Sequence, residues 1–183
     1  MNSILKSISL TVILLLMYSC SSDDVLTSTG NTDEYFKYTV NNGVERVFDS
    51  QAKGWFTSNT NSVYQKFFFR AGAETASGSS PIIDGSFTFQ DFSAFTSTTN
   101  FGWGVSDGVT SNFYFTDIFA GNMFISSTTN LPSTPIMCTV TAHPVIVGDY
   151  IEFTFSGDYI DALDPTIQGY VEGEGRVLRE IDR

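Results

Sequence analysis

Apolar and polar positions alternate in short runs through most of the chain. Ile136, Cys138, Val140 and Ala142 fall on one side of such a run, and Met137, Thr139 and Thr141 on the other. Ile151, Phe153 and Phe155 alternate with Glu152 and Thr154. Val171, Gly173, Gly175 and Val177 alternate with Glu172, Glu174 and Arg176. A period of two is the mark of a strand with one covered face. Strands are expected at residues 35–40, 44–48, 62–70, 81–83, 86–90, 101–105, 111–119, 123–126, 136–142, 150–156 and 170–179. Asn41-Asn42-Gly43, Asp84-Gly85 and Gly148-Asp149 supply turn residues that tolerate positive φ. Residues 72–80, 93–100, 131–135 and 158–166 read as loops. In residues 62–70, Phe67 and Phe69 share one side while Phe68 joins Lys66 and Arg70 on the other, which predicts partial cover on each face. No apolar stretch keeps helical spacing for more than about two turns. The pattern predicts an all-β fold, an antiparallel β-sandwich or partly closed barrel of about ten short strands.

The start of the chain is patterned differently. One charge, Lys6, precedes the apolar run ISLTVILLLM at 8–17, and small Ser19 stands before Cys20. This is the layout of a secretory signal. The run is about half of the 20 residues that a bilayer-spanning helix needs. Residues 21–33, SSDDVLTSTGNTD, have almost no apolar content and read as a flexible acidic tether. The expected organisation is a signal peptide at 1–19, a tether at 20–33 and a single β domain at 34–183.

Leu16-Met17-Tyr18-Ser19-Cys20 resembles the bacterial lipobox, with Met17 where that motif prefers leucine and a bulky Tyr18 before the serine. The resemblance implies acylation of the Cys20 thiol and cleavage just before it. Cys20-Ser21-Ser22-Asp23-Asp24 is similar to the start of mature lipoproteins of the Bacteroidota. There a serine and acidic cluster marks export to the outer face of the outer membrane; read instead as a solvated spacer, it leaves the periplasmic face open. The YTVNNGV hairpin and the closing strand pair resemble small β-sandwich lipoproteins of that group, which have no assigned activity.

Cleavage before Cys20 leaves 164 residues, enough for a core without disulfide staples. The formal charge of −11 becomes −12 when Lys6 is removed. The nine Lys and Arg are scattered along the sequence without a basic run, which argues against nucleic acid and against peripheral binding to anionic lipid. The membrane is a partner only through the lipid.

Chemistry is sparse. The single histidine, His143, has no nucleophile-elbow motif to serve. It stands five residues from Cys138, roughly 16 Å along a strand and on the other face. Zinc would need more Cys and His. Asp158, Asp161 and Asp164 in GDYIDALDPT are the only candidates for calcium, and no other cofactor is implied. Glu172 and Glu174 share a strand side, whereas paired glycosidase carboxylates face each other across a cleft. Trp55, in the turn-like context AKGWFTSN, and Trp103, between two glycines, are the candidate platforms for a ligand, with Tyr64 and Tyr114 behind them. Each can equally pack in the core. The expected function is a non-catalytic binding or assembly module at the cell surface, its ligand a glycan or a partner protein. The alternative is a hydrolase of extracellular polymers whose carboxylate site only folding would reveal.

Overall fold

The computed structural model describes residues 33–57, 65–73, 80–104, 111–117, 124–125, 135–161, 164 and 166–183. The expected signal peptide at 1–19, Cys20, all of the expected tether but Asp33, and Tyr64 lie outside the described residues. The strands are β1 Tyr35–Val40, β2 Arg46–Phe48, β3 Ser50–Thr57, β4 Gln65–Gly72, β5 Ile82–Phe89, β6 Asn100–Trp103, β7 Asn112–Thr116, β8 Phe124–Ile125, β9 Met137–Ala142, β10 Tyr150–Asp161 and β11 Gln168–Arg179. One short helix, α1 Phe92–Ser97, follows β5.

The strands form one sheet, which closes on itself. From β11 the order runs β3, β4, β5, β7, β6, β9, β10, and β10 pairs with β11 again along its length. The free edge of β11 is shared: Val171 to Arg176 pair with β1, and Leu178 and Arg179 with β3. The all-β barrel-like fold therefore matches expectation, and most pairings are antiparallel. Two short contacts, β11 with β3 and β6 with β7, are parallel.

Several local expectations are corrected. β5 runs straight through Asp84-Gly85 instead of turning there, because Gly85 makes room for the Phe69 ring and exposed Asp84 pairs with Arg70. β3 occupies the stretch around Trp55 that looked turn-like. Its inward row, Ala52, Gly54 and Phe56, is mostly too small to read as hydrophobic alternation. Residues 92–97 are helical, with the Asp91 carboxylate accepting the Ala94 N–H at 2.8 Å as an N-cap. β10 extends to Asp161, so two of the three acidic candidates stand on a strand. The first hairpin turns as expected: Asn41 and Asn42 have φ of 53° and 57°, and the Gly43 N–H reaches the Val40 carbonyl at 2.9 Å.

Inside the ring the strands of described burial turn in their buried rows, and the filling is mostly phenylalanine. Phe36, Phe69, Phe87, Phe113, Phe153 and Phe155 stack and tilt against one another at centroid separations of 5.0–6.5 Å. Phe95 of α1 plugs one end, 4.6 Å from Phe89 and 5.4 Å from Phe56. At the other end Asp117, fully buried, accepts hydrogen bonds from the Tyr38 hydroxyl at 2.7 Å and from Arg46 Nε at 2.9 Å. Cys138 is buried on the inward row of β9, as its alternation implied.

Candidate functional site

The two tryptophans occupy different surroundings. Trp103 stands on the inward row of β6, 5.8 Å from Phe113 and 5.4 Å from Phe115, so it belongs to the margin of the core. Trp55 is on the outward row of β3, half-buried. Directly opposite it in the antiparallel register is Phe68 of β4, with ring centroids 6.4 Å apart and planes inclined by 26°. Among strand phenylalanines of described burial, Phe68 alone is on an outward row. Tyr114 is the outward neighbour of Trp103, 5.5 Å away, and burial raises its hydroxyl pKa.

Trp55 of this pair borders an open groove of about 380 Å³. Lys53 and Arg70 flank it, each held by a carboxylate: Lys53 by Glu180 at 2.7 Å and Arg70 by Asp84 at 2.6 Å. These bonds raise the pKa of both cations. Beyond β11 the chain runs alongside β3, with the Glu180 N–H bonded to the Gly54 carbonyl and the Arg183 N–H to that of Phe56. That path puts the Arg183 guanidinium 4.4 Å from the centre of the Trp55 ring. Lys66 lies 5.9 Å from the centre of Phe68. The cations that looked scattered in sequence thus meet on this face. Strand alternation and pairing, not sequence proximity, collect Lys53, Lys66, Arg70 and Arg183.

A second groove, of about 460 Å³, lies over β1, β9, β10 and β11 and holds Glu172 and Glu174 on its wall. Glu174 accepts bonds from Lys37 Nζ and from the Tyr35 hydroxyl, both at 3.0 Å. The Lys37 bond is the main cause that draws its pKa below the ordinary glutamate value, against an opposing effect of burial. Asp164 and Asp182, the other described carboxyls with displaced titration, are displaced downward too. Glu174 is therefore an ion-pair partner rather than the protonated acid that glycoside hydrolysis requires.

The acidic candidates for calcium do not converge. Asp158 and Asp161 stand on opposite faces of β10 by strand alternation. Asp161 accepts the Asp164 N–H, and Asp164 accepts from Thr166, the arrangement of a tight turn. Among the described residues no group of three or more His, Cys, Asp or Glu is placed to hold a metal. His143 ends β9. Its Nε2–H donates to the Thr98 carbonyl at 2.9 Å and its ring meets Phe95 edge-on, so it ties down the end of α1.

The chain matches no family model, no curated protein and no solved structure.

Proposed function

We propose that this protein is a lipid-anchored, non-catalytic binding module of the outer membrane, facing the cell exterior, and that the Trp55–Phe68 face of its barrel takes a glycan. The anchor rests on the sequence around Cys20. The platform rests on one observation: in a barrel whose phenylalanines fill the interior, two large rings stand side by side on the outside of adjacent strands. Outward aromatic faces bury the apolar faces of sugars and leave the hydroxyls to polar neighbours. The groove beside them supplies such neighbours in Ser50, Gln51 and Arg70.

Titration of the purified full chain with polysaccharides tests this, read by affinity electrophoresis and tryptophan fluorescence. Trp55→Ala and Phe68→Ala should each weaken binding about tenfold or more. An absence of binding at millimolar glycan, or binding indifferent to both substitutions, would remove the platform. The anchor is tested separately: Cys20→Ser should move the protein from the membrane fraction to the soluble one.

A further inference from the structure

We infer that the glycan taken by this face is anionic, bearing carboxylate or sulfate groups. The inference rests on the glycan-platform reading above and adds the charge of the ligand. The chain as a whole carries −11, yet four of its nine basic residues border one aromatic pair. Lys53 and Arg70 are matched by Glu180 and Asp84. For Lys66 and Arg183 the described partners are rings: Phe68 for the lysine and Trp55 for the arginine side chain. These two cations have no described carboxylate and lie at the edges of the platform.

The position of Arg183 decides between neutral and acidic sugars. Its guanidinium covers a face of the Trp55 ring, so a sugar stacking on that face must move it aside. The cation–ring contact is favourable, and a neutral sugar forfeits it. A sugar with a carboxylate or sulfate at its rim gives the displaced guanidinium a bidentate anionic partner. Lys66, on the far side of Phe68, can meet a second anionic group one sugar unit along. The acidic remainder of the surface repels a polyanion and confines it to this face.

The test uses the purified full chain in detergent solution, with Trp fluorescence titrations against polygalacturonate, dextran sulfate and uncharged dextran. An acidic polymer should bind at least about tenfold more tightly than dextran at low ionic strength, and salt should weaken it. Lys66→Gln together with Arg183→Gln should lower that affinity about tenfold without shifting the thermal midpoint, since neither side chain serves the core. If dextran binds as well as both acidic polymers, and the double variant binds like the wild type, the anionic assignment is overturned while the platform stands. If no polymer binds, the platform itself falls. Equal binding of duplex DNA would overturn the glycan assignment in favour of a general polyanion surface.

Discussion

Phe153 and Gly175 face each other across the β10–β11 pair, and the ring of Phe153 fills the space that a side chain at 175 would need. The same relation joins Phe155 to Gly173 and Phe69 to Gly85. Each glycine is an inward position left empty so that a neighbouring ring can lie flat against the strand. A methyl group at 175 must push a packed ring into other packed rings. Gly175→Ala is expected to cost about 1–3 kcal/mol, the usual range for overpacking. Gly102→Ala is the control: its new methyl would meet only Asn112 Oδ1, at 3.8 Å. Urea denaturation of the two variants separates them. Equal stabilities would mean that the Phe153 ring is free to move.

These glycines also show why part of the fold was legible in the sequence and part was not. The alternation of β9, β10 and β11 is marked by apolar residues or a clear charge on every second position, and strands stand there, although β10 runs on to Asp161, past the 150–156 that the pattern marked. β3 alternates too, but Ala52 and Gly54 are two of the three residues of its inward row, and only their neighbours' rings complete the apolar face. The Asp91 cap and the Phe92–Phe95 spacing were the available signal for α1, too short to register as a helical period. The candidate site was half legible. Trp55 could be named, but its partner Phe68 and the cations Lys66, Arg70 and Arg183 come from β4 and from beyond β11, which only strand pairing brings together.

At the barrel end opposite α1, Asp117 is fully buried and Arg46 is partly so. Removing the cation leaves a carboxylate in the core with the Tyr38 hydroxyl as its remaining partner of this pair of bonds. Arg46→Ala should therefore destabilise by about 3 kcal/mol or more. Tyr38→Phe, which deletes one hydrogen bond to a charged group, should cost about 1.5–3 kcal/mol. Thermal and urea unfolding check both. An Arg46→Ala protein as stable as the wild type would show that Asp117 does not depend on that ion pair.

The acid limb of stability should depend on Glu174. Its pKa is lowered in the folded protein, chiefly by the Lys37 hydrogen bond. A group with a lowered folded pKa stabilises above its unfolded value, about 4.3 for glutamate, and loses that contribution as pH falls through the folded value. Glu174→Gln should leave a shallower loss of stability below about pH 4.5. Lys37 is shifted upward by the same bond, so its contribution is full below its ordinary value and is lost at strongly alkaline pH. Unfolding midpoints across pH 3–7 check the acid side. An unchanged slope in Glu174→Gln would place the acid sensitivity elsewhere.

The two cysteines allow the anchor to be read by counting thiols. Cys138 is completely buried among core rings, and burial raises its pKa well above the ordinary thiol value. Both effects suppress the thiolate, which is the reactive form. The native protein purified from membranes should therefore give no thiol titre with Ellman's reagent. In denaturant Cys138 should react, whereas Cys20 will be silent if its sulfur carries the lipid as a thioether. The expected titre is then one thiol per chain, unchanged by Cys20→Ser and abolished by Cys138→Ser. A titre of two in denaturant would mean that Cys20 bears no acyl group, and the anchoring proposal would fail whatever the fate of the glycan face.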